Sequence, residues 1–341
     1  MIHARLTLAA ALLIAAPLGA EDKPALAPSQ IAAAAPKADW VAIPADDLLV
    51  MDLAPDAKGK ARRVVIQLMP APFAQGWVGN VRKLAAAHWW DGLAVTRVQD
   101  NYVAQWGDPD GEDKVKARAL PAGLKVVPES DYAAAYTPGL LPYVLTPSGQ
   151  TPPELSPIVS VAPGDITARV SDAFADTVGF KGGFPVGLAY PKPGANPFLP
   201  LKPEAVWPIH CYGMVGVGRN MSPDTGSGAE LYTVIGHAPR HLDRNIALVG
   251  RVIEGIEHLS SLPRGTGALG VYETRAEQVP IVSIRLGGAV PGLPAYEYLS
   301  TESRSFARYA DARANRRDPF FIRPAGGVDI CNIPVPVRRT P

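Results

Sequence analysis

The chain has 341 residues, 47% of them hydrophobic, and a formal net charge of +1. That length allows one large domain or two small ones around a substantial core, and the near-neutral balance argues against a nucleic-acid binder, which carries a basic excess. Its 36 prolines, 32 glycines and 19% charged residues fit a loop-rich β protein and exclude a helical bundle.

Residues 1–20 begin with His3 and Arg5, continue as an apolar run from Leu6 to Leu18, and end on Gly19-Ala20. This is the pattern of a secretory signal peptide cleaved before Glu21, with an uncleaved anchor as the other reading. The run is short for a membrane span, and the rest of the chain contains no apolar segment of spanning length. The expected location is therefore secreted or periplasmic, with no membrane span after cleavage. Residues 21–46 open with a stretch rich in Ala, Pro and Lys, which predicts a flexible lead-in.

Asp47–Leu53 and Arg62–Leu68 are apolar runs separated by Ala54-Pro-Asp-Ala-Lys-Gly-Lys, the turn chemistry of a β-hairpin. Between Gly76 and His88, residues Trp77, Val81, Leu84, Ala85 and His88 recur at helical spacing, leaving Asn80, Arg82 and Lys83 for a wet face. Trp89-Trp90-Asp91-Gly92 then turns the chain. Val95–Val98 alternates like a strand, Asp100-Asn101 turns, and Tyr102–Gln105 reads as a second strand ending at Gly107-Asp108. The pair brings Arg97, Tyr102, Val103 and Gln105 to one surface: a fixed cation, a ring, an aliphatic wall and an amide.

Pro109-Asp-Gly-Glu-Asp is turn chemistry without the repeated acidic spacing of a calcium loop. The proline-rich residues 111–185 read as an insertion, with Phe180–Gly187 returning the chain to the main domain. Arg251–Leu262 reads as a helix and Val279–Leu286 as a closing strand. Residues 287–341 form an extension in which Thr301–Arg317 predicts a short surface helix. Cys211 and Cys331 leave two readings open: a disulfide tying the tail to the core, or one buried thiol and one loose one.

Several stretches, in order, resemble one family. Ala94–Asp108 is similar to the signature Phe-His-Arg-Val-Ile-x-x-Phe-Met-x-Gln-Gly-Gly-Asp of cyclophilin-type peptidyl-prolyl isomerases, with Tyr102 for the phenylalanine, Val103 for the methionine, and Val95, Thr96 and Trp106 as further departures. Arg63-Val-Val-Ile-Gln-Leu-Met-Pro resembles the second strand of that fold, and the helix with its Trp-Asp-Gly turn follows where the family has one. Gly213–Asn220, Ser222–Ile235 and His241–Gly255 resemble three further family blocks, the second with extra loop residues.

The resemblance implies a mainly β fold, a closed barrel over residues 47–286 with two flanking helices, the proline-rich insertion and the carboxyl extension. It also implies the activity of turning X-Pro bonds between cis and trans, with no cofactor and no metal. In that register Arg97 takes the catalytic arginine. Substrate-binding positions fall on Tyr102, Val103, Gln105, Glu230, Tyr232, His241, Leu242 and Ile246. Glu230 stands for a glutamine, His241 for a tryptophan and Ile246 for a common histidine. The expected partners are proline-containing, unfolded or loosely folded exported proteins. The alternative is a catalytically weak barrel serving as a binding module or chaperone in the cell envelope. Other chemistries fit poorly: Pro239 separates His237 from His241, Gly216-Val-Gly218 lacks a third glycine, and no Gly-x-Ser-x-Gly elbow occurs.

Overall fold

A computed structural model describes residues 24–137, 140, 143–144, 172–191, 203–323 and 327–341. The expected signal peptide and the middle of the proline-rich stretch lie outside the described residues. In chain order the first elements are α1 (Pro28–Ala33), β1 (Trp40–Ile43), β2 (Leu48–Leu53), β3 (Arg62–Leu68), α2 (Gln75–Ala86), β4 (Ala94–Val98) and β5 (Val103–Gly107). Then follow β6 (Ala134–Ala135), β7 (Tyr143–Val144), β8 (Thr177–Lys181), β9 (Phe184–Ala189) and β10 (Ala205–Pro208). The chain ends with β11 (Met214–Val217), β12 (Leu231–Val234), β13 (Leu248–Glu254), α3 (Glu257–Ser260), β14 (Val279–Leu286), β15 (Tyr296–Leu299), α4 (Arg304–Ala314) and β16 (Val337–Arg339).

Eight strands close an antiparallel barrel in the order β11-β12-β5-β4-β14-β2-β3-β13, with β13 pairing back onto β11. Closure leaves no sheet edge unpaired. Period-2 alternation sends Val64, Ile66, Trp106, Leu231 and Ile284 into the interior, all 0% exposed. The hairpin of β2 and β3 pairs from Leu48–Gln67 to Leu53–Arg62, as its turn chemistry predicts. Helix α2 buries Trp77, Val81 and Leu84. Asn80, expected on the wet face, is 1% exposed. Its Nδ2 donates to the Lys125 and Ser227 carbonyls at 2.8 and 3.0 Å.

The structure corrects four further expectations. The lead-in is not flexible over its described part: α1 packs on α4, and β1 pairs with β15 in a sheet of order β1-β15-β16. Ile43 packs there with Leu48, Val65 and Tyr296, a buried cluster on the outside of the barrel. Arg251–Glu254 continues strand β13, and the helix is only the single turn α3, because pairing with β3 and β11 claims those residues first. Phe180–Gly187 does not return to the barrel. It lies in β8 and β9 of a separate five-stranded sheet, β6-β10-β9-β8-β7, and the chain rejoins the barrel at Met214. Helix α4 is less a surface helix than a seal, with Phe306 fully buried and edge-on to Phe180 at 4.9 Å. Of the two cysteine readings the disulfide holds: Cys211 and Cys331 are bonded across a separation of 120 residues.

Candidate active site

The site lies on the outer face of the barrel, where alternation turns Val103 and Gln105 outward while Ala104 and Trp106 fill the core. On the neighbouring strand Tyr232 stands opposite Gln105, and Val234 opposite Val103. Cross-strand neighbours of this kind approach within about 5.5 Å at Cβ, so the pairs merge into one apolar patch. Val103, Tyr232 and Val234 form a buried cluster distinct from the main core, with Tyr102, Leu242 and Ile246 packed against it. Five of the expected substrate-binding residues thus meet in a single cluster. Val234 belongs to it as well, and was legible only as the position two residues beyond Tyr232 on the same strand face.

Two glycines make the patch possible. A Cβ at Gly216 would lie 2.3 Å from the Tyr232 Cζ and hydroxyl, and one at Gly218 would lie 2.9 Å from the Glu230 Cβ. Both distances are closer than non-bonded contact permits, so glycine stands on β11 and just beyond it, where the side chains of Tyr232 and Glu230 lie across the chain. The Gly-Val-Gly spacing belongs to this crossing.

At the edge of the cluster runs a polar arm. Arg97 sits beside a bulge in the β4–β5 pairing that places it opposite Gln105. Its Nη1 donates to the Gln105 Oε1 at 3.2 Å, its Nε to the Leu269 carbonyl at 2.7 Å, and its Nη2 to Gln99. A guanidinium carries five N–H donors. Three are engaged here, leaving two without a partner among the described residues and available to a bound peptide. The guanidinium centre is 5.7 Å from the Tyr102 ring. Burial draws Arg97 below its ordinary pKa, against a smaller opposing effect of Tyr102, yet an arginine keeps its charge at any working pH. Leu269 takes a left-handed φ of 57°, which turns its carbonyl onto Arg97. Neither Gln99 nor this loop carried a sequence signal, since both act through position rather than residue type.

The arm continues from the Gln105 Nε2 to the Glu230 Oε2 at 2.6 Å. Burial raises the Glu230 carboxyl; the bond from Gln105 works the other way, while Glu112 and Asp108 push it further up. His241 is exposed in the turn Arg240–Leu242, and its ring lies outside the apolar cluster. Arg219 binds the Asn245 carbonyl through Nε at 3.0 Å, tying β11's exit to the turn that carries Ile246.

The family described as "Cyclophilin type peptidyl-prolyl cis-trans isomerase/CLD" matches residues 58–286. Among solved structures, cyclophilin AquaCyp293 from Hirschia baltica superposes with a TM-score of 0.60 at 19% identity, covering 88% of this chain and 92% of its own. The Cryptosporidium parvum cyclophilin type peptidyl-prolyl cis-trans isomerase, in the presence of dipeptide Ala-Pro, aligns over 70% of this chain and 98% of its own, with 11% identity and a TM-score of 0.34. No curated protein matches in sequence. The first of these structures shares the fold of this chain.

Proposed function

This chain belongs to the cyclophilin-type peptidyl-prolyl cis-trans isomerase family, and on that premise we propose that the Tyr232 cluster holds the proline ring while Arg97 acts on the twisting bond in exported proteins. X-Pro rotation is slow because amide resonance opposes it with a barrier of about 18–20 kcal/mol. No nucleophile is required. A site accelerates the turn by binding the twisted bond better than either planar isomer, and by drawing the prolyl nitrogen's lone pair out of resonance with a hydrogen-bond donor.

The observation that carries this reading is the Arg97 guanidinium, held by three acceptors at the edge of a preformed apolar cluster with donors to spare. A donor fixed in advance needs no reorganisation when the bond twists. Gln105 joins the arm to Glu230, and its remaining amide hydrogen suits a substrate carbonyl. Gln105's engagement with Glu230 also supports the second reading, a slower barrel that mainly binds peptides.

The cis/trans exchange of a short Ala-Pro peptide, followed by NMR, tests the proposal. Acceleration by wild type and its loss in Arg97→Ala is the expected result. A folded wild type that binds the peptide without accelerating exchange makes the binding module the better account. Action outside the cytoplasm is supported by the leader-like residues 1–20 and by the Cys211–Cys331 disulfide, a bond typical of oxidising compartments. A mature protein beginning at Glu21 in the exported fraction is the expected outcome of amino-terminal sequencing.

A further inference from the structure

Beneath the apolar cluster runs a line of polar side chains that the isomerase chemistry does not use. The Tyr232 side chain is buried, 5% exposed, and its hydroxyl lies 2.9 Å from the His210 Nε2. His210 is 0% exposed, with Nδ1 2.9 Å from the Asp243 Oδ1. The same carboxylate oxygen accepts the His210 backbone N–H at 3.0 Å. The Asp243 Oδ2 accepts from the Arg240 Nε at 2.7 Å, and the two terminal nitrogens of Arg240 donate to both oxygens of Asp172 at 2.8 and 2.9 Å. Arg240 also lies 5.2 Å from the Phe174 ring.

Each group fixes the state of the next. Burial alone would raise the Asp243 carboxyl, but bonds from His210 and Arg240 outweigh it and hold the group below its ordinary value. An ionised carboxylate only accepts, so the hydrogen sits on the His210 Nδ1. Burial lowers His210 more than Asp243 raises it, which leaves the ring neutral and Nε2 a bare acceptor. Burial likewise raises the Tyr232 phenol, so its hydroxyl keeps its proton and donates it to Nε2. Every polar atom along the line is satisfied, and in only one arrangement.

Two members come from outside the barrel. His210 follows β10, and Asp172 precedes β8, so both belong to the inserted region. The line therefore runs from the insertion, through the turn that carries Leu242, back through His210 to the ring at the heart of the proline pocket. We propose that His210 is a positioning residue for that pocket: the inserted sheet, through His210 and Asp172, anchors the Tyr232 hydroxyl and so holds its ring at a set angle across Gly216. The inference rests on the pocket reading above. It assigns the insertion a role in substrate affinity, distinct from the Arg97 arm that turns the bond.

The test is a double-mutant cycle read by NMR titration of the same Ala-Pro peptide, with kcat and KM from exchange. His210→Leu orphans the buried hydroxyl and lets the Tyr232 ring leave its set angle, and is expected on that account to weaken binding about tenfold. Its kcat should stay within about twofold of wild type, because the Arg97 arm is untouched. Tyr232→Phe removes the hydroxyl that needs an acceptor and, whatever its own affinity, is the reference for the second arm of the cycle. Adding His210→Leu to Tyr232→Phe should then cost less than about threefold more. A folded His210→Leu that binds like wild type overturns the proposal, and so does a tenfold loss that persists in the Tyr232→Phe background. If His210→Leu alone does not fold, the double variant decides on the same threefold criterion. A wild type that binds no peptide removes the pocket reading itself, a result distinct from either failure.

Discussion

The polar arm at Arg97 on β4 and the apolar pocket at Tyr232 on β12 flank the same strand, β5, yet they are held in different ways. Arg97 is half-buried and takes its support from groups at the surface: Gln105, Gln99 and a loop carbonyl. Tyr232 is buried, and its hydroxyl is anchored by a histidine from the inserted region. The first arrangement leaves two N–H groups without a partner among the described residues; the second leaves the ring no freedom to turn. Chemistry and shape are supported separately, so they should fail separately.

The sharpest break is Arg97→Ala, which removes the fixed donor while leaving the cluster intact. We expect kcat/KM for the Ala-Pro peptide to fall about 10²–10³-fold, as for loss of an oriented donor elsewhere, with peptide affinity changed less than about threefold. A matching collapse of affinity would show that arm and pocket are one unit. Next in size is Cys331→Ser, which frees the tail from the residue beside His210. Denaturant unfolding should show a loss of about 2–4 kcal/mol, and peptide affinity close to wild type would confine the tether's role to stability.

Gly216→Ala attacks the pocket alone. The new methyl meets the Tyr232 ring at 2.3 Å, and overpacking of this kind costs about 1–3 kcal/mol. The expected readout is peptide binding weakened about tenfold, with the rate of turnover by the bound complex nearly kept. The smallest effect is Glu230→Gln. Burial holds the Glu230 carboxyl above its unfolded value, so the folded chain keeps a proton that the unfolded chain has lost. That contribution to stability is present below the unfolded value and is lost as pH rises through the folded one. Thermal midpoints between about pH 4 and pH 8 should therefore decline more with rising pH in wild type than in Glu230→Gln. Equal declines would place the carboxylate outside the arm's electrostatics.

Much of the fold was legible because it is written in local pattern. The hairpin of β2 and β3, the strand Val279–Leu286 and the apolar face of α2 follow from alternation, turn residues and helical spacing. Arg251–Leu262 failed because a short apolar run fits a helix or a buried strand equally well, and its partners on β3 and β11 were remote. The lead-in failed for the opposite reason: its composition signals no core of its own, while α1 borrows one from the carboxyl extension and Ile43 from the outer face of the barrel and Tyr296.

The site divides along the same line. Arg97, Tyr102, Val103 and Gln105 lie within nine residues of one hairpin, so the sequence itself determined that they share a face. The geometry of a strand and a tight turn depends on neighbours in the chain, and neighbours are visible in a sequence. Only the tertiary structure decided that Glu230, 125 residues from Gln105, closes the arm, that Leu269 buttresses Arg97, and that His210 lies under Tyr232. Those contacts depend on barrel closure and on where an inserted sheet docks. No local rule encodes them, because their energy arises only when distant groups are buried together.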